Sequence, residues 1–351
     1  MSYKITLQPD QREFAADPGS SILESALAAG IDLPYGCRHG ACGACKGQVR
    51  AGQVDPGPVQ EGTLTPDEID SGHILMCCAR PRSDLSVHLP HRADEPALFP
   101  VKKFPVRVEG LDRLAPDVMV MRLKLPAHET LEYRAGQFIE FILKDGSRRA
   151  YSMANAPGEQ PGFLELHLRA VPGGAFTGAV FSSLKVRDIL RMDGPHGHFY
   201  WRDDPKPAIL LAGGTGFAPI KALVEHALRT GSTRPLHLYW GAQNRAGLYL
   251  DRLAQEWSQR YAHIRYTPVL SAALACDAWT GRCGLVHHAV LDDLADLSGY
   301  QVYACGGTAL VEAARRDFRA RGLSPDDFFA DNFGAGSSIP ADLSGHPADP
   351  R

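Results

Sequence analysis

The sequence predicts a multidomain chain of mixed class: a small α+β domain, then an antiparallel β-barrel, then a parallel α/β domain. Three observations lead there. A length of 351 residues suggests two or three domains at about 150 residues each. Glycine (35) and proline (26) are in excess over ordinary composition, which favours a turn-rich chain with much β-structure over a helical bundle. From residue 207 onward, closely spaced short strands give way to strand–helix alternation, the mark of a parallel sheet.

Composition removes several function classes. Hydrophobic residues make up 44% and charged residues 22%, as in an ordinary soluble domain. No apolar run reaches the ~20 residues of a membrane span. A net charge of −3 gives no sign of nucleic-acid binding. The N-terminus, Met1-Ser-Tyr-Lys-Ile-Thr-Leu7, lacks the apolar core of a signal peptide, so a cytoplasmic location is expected.

The first domain is read over residues 1–93. Residues 3–7 alternate as a half-buried strand does. Ser21-Ile-Leu-Glu24 is a capping box opening a short helix that ends at Gly30. Residues 1–93 hold 8 basic and 11 acidic side chains, so the whole net charge sits here. Such a face could dock a basic acceptor, or be a solvated surface and no more. Of eight cysteines (37, 42, 45, 77, 78, 276, 283 and 305), five fall in this first quarter. Clustering of that kind in a long chain points to metal or redox chemistry rather than disulfides.

The cluster reads Cys37-Arg-His-Gly-Ala-Cys42-Gly-Ala-Cys45, followed by Cys77-Cys78. A Cys-x4-Cys-x2-Cys triple with one distant partner supplies the four thiolates of a 2Fe-2S cluster. Gly36, Gly40, Gly43 and Gly47 would let the loop wrap closely and aim N–H groups at the sulfurs. A structural zinc site or a Cys42/Cys45 dithiol are the alternatives, but only one Cys-x2-Cys knuckle is present. The segment resembles plant-type ferredoxins. Matching Leu75 and Pro81 to that family makes Cys77 the fourth ligand and Cys78 a bystander, with a β-grasp fold and an enlarged loop over residues 55–70.

Residues 94–100, with two prolines, read as a linker. The second domain, 101–204, shows strand-like runs at 104–108, 118–125, 138–143 and 164–168, interrupted by turns, as in a small barrel. Within it, Arg149-Ala-Tyr151-Ser152 resembles the flavin motif of the ferredoxin reductase superfamily. The resemblance implies that Arg149 meets the FAD pyrophosphate, Tyr151 covers the flavin and ribityl region, and Ser152 faces flavin N5. Each role has a basis: a guanidinium pairs with phosphate, an aromatic face covers an apolar ring, and a hydroxyl donates or accepts. His167-Leu-Arg169 and Gly173-Gly174-Ala-Phe-Thr177 match the second flavin segment, where N–H groups and a hydroxyl at a helix start receive phosphates. Gly194-Pro-His196-Gly-His198 matches the turn that follows, both histidines reading as turn and packing residues.

The third domain is read over 205–337, and 338–351 as a disordered tail. Residues 208–212 form a short buried strand running into Gly213-Gly214-Thr215-Gly216-Phe-Ala-Pro219 and then a helix. That geometry aims N–H groups at a dinucleotide pyrophosphate, and the motif resembles the same superfamily's Rossmann-like nicotinamide domain. Ala304-Cys305-Gly306-Gly307 resembles its Cys-Gly motif beside the nicotinamide, making Cys305 a catalytic candidate with Tyr151 and Ser152. The closing segment places Phe333 near the flavin. Cys276 and Cys283 read as structural or incidental. No acidic residue stands about 20 positions after Gly213, and Gln243 stands where many relatives carry arginine, which points to NADH, with NADPH possible.

The three modules together resemble the one-chain ferredoxin/flavin/nicotinamide reductases. The order implies NADH → FAD → 2Fe-2S cluster → partner protein. The wording of several motifs is closest in look to CDP-6-deoxy-delta-3,4-glucoseen reductases, which serve a sugar dehydrase. Reductase components of phenol hydroxylase and aromatic-ring oxygenases share the plan and are the alternative. A metal-stabilised binding or sensing module with a degenerate reductase body is the non-enzyme alternative.

Overall fold

The computed structural model describes residues 2–89 and 99–333, with the Phe333 side chain outside the description. The expected linker at 94–98 and the expected tail lie outside the described residues. The chain divides into two compact units, one running to Phe99 and including Lys144–Arg148, and one built from Pro100–Leu143 and Arg149–Phe333.

In the first unit, β1 (Tyr3–Gln8) and β2 (Arg12–Ala16) form a hairpin with Ile5 opposite Phe14. Ile5, Leu7 and Phe14 are buried while Lys4 and Glu13 face out, as period 2 requires. Helix α1 (Ile22–Ala28) starts at the expected box: the Ser21 hydroxyl accepts from the Glu24 N–H at 3.2 Å, and the Glu24 carboxylate accepts from the Ser21 N–H at 2.9 Å. Next come β3 (Lys46–Ala51), β4 (Val54–Asp55), α2 (Pro66–Asp70), β5 (His73–Leu75), β6 (Arg80–Pro81) and β7 (Leu85–His88). The main sheet has the order β2-β1-β7-β3-β5, with β1 and β7 parallel, and β4 and β6 form a separate ribbon. This is the β-grasp arrangement. The segment 55–70 is not loop throughout. Thr65 and Glu68 make a second capping box with Pro66 in the first turn, which is enough to start α2.

The second unit begins with a barrel of β8 (Lys102–Ala115), β9 (Val118–Lys124), β10 (Phe138–Ile142), β11 (Arg148–Ser152), β12 (Phe163–Arg169), α3 (Ala175–Ser182) and β13 (Ile189–His196). The order is β11-β10-β13-β8-β9-β12. A bridge from Met153 to Leu166 of β12 joins the two edges and closes it. β8 is far longer than its sequence signal because irregularities at Val108/Gly110 and Arg113/Ala115 let it bend with the barrel.

The rest of the unit is a parallel sheet: β14 (Ala208–Gly213), α4 (Phe217–Arg229), β15 (Leu236–Ala242), α5 (Asp251–Arg260), β16 (Ile264–Leu270), β17 (Arg282–Cys283), α6 (Val286–Asp293), β18 (Gln301–Gly307), α7 (Thr308–Arg319) and β19 (Phe328–Phe333). Strand order is β17-β16-β15-β14-β18-β19, parallel at every pair. Alternate residues of β14 serve opposite faces: Leu210 joins the core with α4 and α5, and Ile209 and Leu211 join that with α6 and α7. Phe199 and Trp201, just past β13, pack into the first of these cores and fasten barrel to sheet. The chain leaves β14 on one side toward β15 and returns on the other at β18. This is the switch point where open α/β sheets bind ligands.

Candidate cofactor sites

Three groups of side chains stand out, one in the first unit and two in the second. In the first, Cys37, Cys42 and Cys45 lie on one loop. Register brings the fourth to them: Lys46 of β3 pairs with Leu75 of β5, and the Met76 N–H donates to Cys45 O at 2.9 Å. The Cys77 thiol is pushed up, chiefly by the neighbouring Cys45 side chain. The Cys37 sulfur accepts N–H groups from Ala41 at 3.4 Å and Cys42 at 3.3 Å, and the Cys42 sulfur accepts the Cys37 N–H at 3.3 Å. The Cys42 side chain, hydrogen-bonded to Cys37, holds the Cys37 thiol well below its ordinary range. Gly40 is required at its place. Its φ is +79°, and a Cβ there would stand 2.8 Å from Pro58 O and 2.9 Å from the Cys78 sulfur. Four soft thiols, with backbone donors on two of their sulfurs, fit a thiolate-held iron–sulfur cluster.

In the barrel, Tyr151 lies among Phe141 and Phe176 with ring centroids 5.9 and 5.6 Å away, and burial pushes its hydroxyl up. Arg149 is two residues earlier on β11, its side chain on the same face of the strand. Helix α3 begins after Gly173 and Gly174 with no side-chain cap, leaving a first turn able to hold a phosphate. The Thr177 hydroxyl is tied locally, accepting from the Val171 N–H at 3.2 Å and donating to Gly174 O at 3.3 Å. The open helix start and the aromatic wall fit FAD.

Ser152 is buried, and its hydroxyl donates to the Asp331 carboxylate on β19 at 3.1 Å. Asp331 is the site residue that sequence reasoning missed. Its partner is 179 positions away, and its only local signal is the Asp331-Asn332 pair inside an aromatic-rich strand. Cys305, fully buried, pairs with Asp331 across β18 and β19. Burial, with the Asp331 charge adding to it, pushes the thiol well up, so it stays neutral.

The turn after β14 carries Gly213, Gly214, Thr215 and Gly216, and no side chain caps it. A Cβ on Gly216 would stand 2.1 Å from Cys305 O, so only glycine lets this turn close against β18 at Cys305 and Gly306. An uncapped turn at the switch point fits a dinucleotide pyrophosphate.

His167 and Arg169, besides the flavin-segment role that the resemblance implies, have protein partners of their own. Glu165, His167 and Arg169 share one face of β12, and that face meets the nucleotide domain. His167 is held neutral by burial. Its Nε2–H donates to Glu165 at 3.0 Å, and its Nδ1 accepts the Tyr249 hydroxyl at 2.8 Å. Both ring nitrogens thus link barrel and sheet. Arg169 pairs with Asp117 at 3.1 Å, and its guanidinium lies against Gly214, where a Cβ would stand 2.7 Å from Nη1. Its side chain therefore reaches from the β12 segment to the turn at Gly214. Lys221 completes the link through Glu165 at 3.1 Å, Glu225 at 2.6 Å and Ala154 O at 3.1 Å.

Other expectations meet simpler outcomes. His196 is a packing residue, 5.5 Å from the Phe138 ring, but also hydrogen-bonds Asp193 at 2.8 Å. Cys276 and Cys283 are both exposed, so neither serves the core. Phe333 ends β19 opposite Gly307, and its side chain lies outside the description. Among the described residues, no helix is long and apolar enough to cross a membrane.

A cysteine centre, a flavin-type barrel and a nicotinamide-type sheet in one chain define an iron–sulfur flavoprotein oxidoreductase. Comparison with known proteins agrees on that class. Residues 5–82 match the family described as 2Fe-2S iron-sulfur cluster binding domain, 105–201 the oxidoreductase FAD-binding domain, and 210–316 the oxidoreductase NAD-binding domain. The chain is 39% identical to CDP-6-deoxy-L-threo-D-glycero-4-hexulose-3-dehydrase reductase of Yersinia pestis, over 95% of this chain and 99% of that one. It is 35% identical to the phenol 2-monooxygenase reductase component DmpP of a Pseudomonas species, over 96% and 98%. Among solved structures, the Amycolatopsis cytochrome P450 reductase GcoB superposes with a TM-score of 0.75 at 33% identity, over 95% and 99%. The chain belongs to the one-chain reductase family with 2Fe-2S, FAD-binding and NAD-binding domains, which sets aside the degenerate sensing module.

Proposed function

We propose that the chain takes electrons from NADH and delivers them through FAD and the 2Fe-2S cluster to a separate cytoplasmic acceptor protein, a sugar dehydrase of the CDP-6-deoxyhexulose type. The observation that carries this is end-to-end similarity, 39% over 95% of the chain, to a reductase of such a dehydrase. A bound flavin accepts two electrons together and releases them singly, which a two-electron donor and a one-electron centre require between them.

The chain's own residues hold the parts in place. Cys37, Cys42, Cys45 and Cys77 are the cluster ligands. Arg149 and the start of α3 at Gly173, Gly174 and Thr177 hold the FAD phosphates, and Tyr151 covers the flavin and ribityl region. The turn Gly213–Gly216, which Arg169 overlies, holds the NADH pyrophosphate; Phe333 stands near the flavin. Cys305 and Gly306 give the nicotinamide a close-packed, neutral surface. Ser152, whose proton is directed to Asp331, presents its oxygen at flavin N5. The pattern around Gln243 favours NADH over NADPH. By domain, these roles fall to residues 1–93, 101–204 and 205–337.

A second reading has its own support. Full-length similarity of 35–36% also extends to reductase components of phenol and terephthalate oxygenases, so an oxygenase component is the alternative acceptor. Anaerobic titration with NADH and then NADPH, followed by visible absorption and EPR, tests the electron path. Flavin bleaching and then a rhombic reduced-cluster signal are expected, at lower concentration with NADH. A chain that responds to neither nucleotide overturns the path. Turnover with purified sugar dehydrase, set against phenol hydroxylase, decides the acceptor.

A further inference from the structure

We propose that Cys78 is a reserve ligand of the iron–sulfur cluster, able to take the place of Cys77 on the same iron. The inference rests on the four-thiolate centre of Cys37, Cys42, Cys45 and Cys77. The fold brings five thiols to a centre that needs four.

Cys77 and Cys78 leave one tight turn, closed by the Cys78 N–H donating to Leu75 O at 2.9 Å. Their sulfurs are 3.6 Å apart. Two sulfurs on one tetrahedral metal ion, with bonds of about 2.3 Å, stand about 3.8 Å from each other. The two thiols are therefore separated by no more than neighbouring ligands of one ion.

Position supports spacing. The Cys78 sulfur is directed at the cysteine loop, 2.9 Å from where a Cβ of Gly40 would stand, between Cys37 and Cys42. It is half-buried there. The turn itself is held from behind by Gly57, where a Cβ would stand 2.3 Å from Cys78 O. Side-chain rotation, without backbone refolding, is then the motion that exchanges the two sulfurs. The exchange is balanced and involves no redox change. The Cys78 thiol gives its proton to water and bonds iron as thiolate, while the Cys77 thiolate leaves iron and takes a proton.

The test uses the full chain and four forms: wild type, Cys78→Ala, Cys77→Ser and Cys77→Ser with Cys78→Ala. Readouts are iron and acid-labile sulfide per chain, visible circular dichroism, and EPR of the reduced protein. FAD content and far-UV melting check folding. Wild type and Cys78→Ala are expected to match each other. Cys77→Ser is expected to keep its iron and sulfide with an all-thiolate visible spectrum and shifted g values, and the double variant to lose both. If Cys77→Ser is folded but cluster-free after anaerobic reconstitution with iron and sulfide, the proposal falls. It falls equally if single and double variants hold the same cluster, since the ligand is then not Cys78. A wild-type chain without a cluster would overturn the functional reading itself, which separates the two failures.

Discussion

The cysteine centre and the flavin–nicotinamide crevice solve the same problem, holding a redox group, by opposite means. Three of the four proposed cluster ligands lie within nine consecutive residues, on a loop whose own N–H groups bond the sulfurs. The crevice is assembled from distant parts: Ser152 meets Asp331 across 179 residues, and His167 meets Tyr249 across 82. A contiguous site depends on its loop; a dispersed one depends on domain packing. Damage should follow the same division.

The largest effect tests the contiguous side. Cys42→Ser is expected to abolish cluster iron while leaving FAD content and NADH-driven flavin reduction near wild type. Loss of FAD in that variant would break the comparison. On the dispersed side, Gly216→Ala puts a Cβ 2.1 Å from Cys305 O. Displacing the turn by even 1 Å can cost about 10²-fold, so stopped-flow flavin reduction by NADH should slow at least that much with cluster iron unchanged. Asp331→Ala removes the acceptor of the Ser152 hydroxyl, and flavin reduction should fall about 10-fold to 10²-fold, toward the lower end of acid–base contributions. Rates within twofold of wild type would show that Asp331 only packs.

Smaller effects concern the link between barrel and sheet. His167→Phe keeps a ring but strands the Tyr249 hydroxyl and leaves Glu165 its Lys221 partner, at a cost of about 1–3 kcal/mol. Calorimetry should find the second unit melting several degrees lower and the first unit unmoved. The smallest effect is a slope. Burial lifts the Glu225 carboxyl to about 8, and Lys221 opposes the lift only in part. Its folded pKa is raised, so its stabilisation is full below the unfolded value near 4.5 and is lost as pH rises toward 8. The second unit should therefore melt at falling temperature from pH 5 to 8, and Glu225→Gln should flatten that slope. Glu165, lowered to about 2, works in the other direction, its share vanishing only below about pH 4.5. Its lowering comes against burial, through its bond to His167 and the charge of Lys221.

The same division explains what could be read in advance. The cysteine spacing, the Ser21/Glu24 box, Arg149-Ala-Tyr151-Ser152 and the Gly213–Gly216 turn are local patterns with a local physical reason, and each was legible. α2 was not, because a helix of five residues gives no periodicity and only the Thr65/Glu68 pair marks it. β8 was legible only to Val108, where its bends break alternation. Asp331 and the partners of His167 and Arg169 depend on which strand faces which. A residue's partner on a distant strand leaves no trace in its own neighbourhood.

One buried contact makes the nucleotide turn visible from outside. The Trp240 indole N–H donates to Gly214 O at 2.9 Å, while its ring stacks on Phe217 at 3.8 Å and meets Tyr249 edge-on at 5.2 Å. With no solvent exposure, its emission answers to its protein surroundings and not to water. Whatever shifts the Gly214 carbonyl changes the hydrogen bond of a chromophore held in a dry aromatic box. The protein thus carries a built-in fluorescent gauge of its own nucleotide turn, and three Trp→Phe replacements at 201, 257 and 279 would leave that gauge reading by itself.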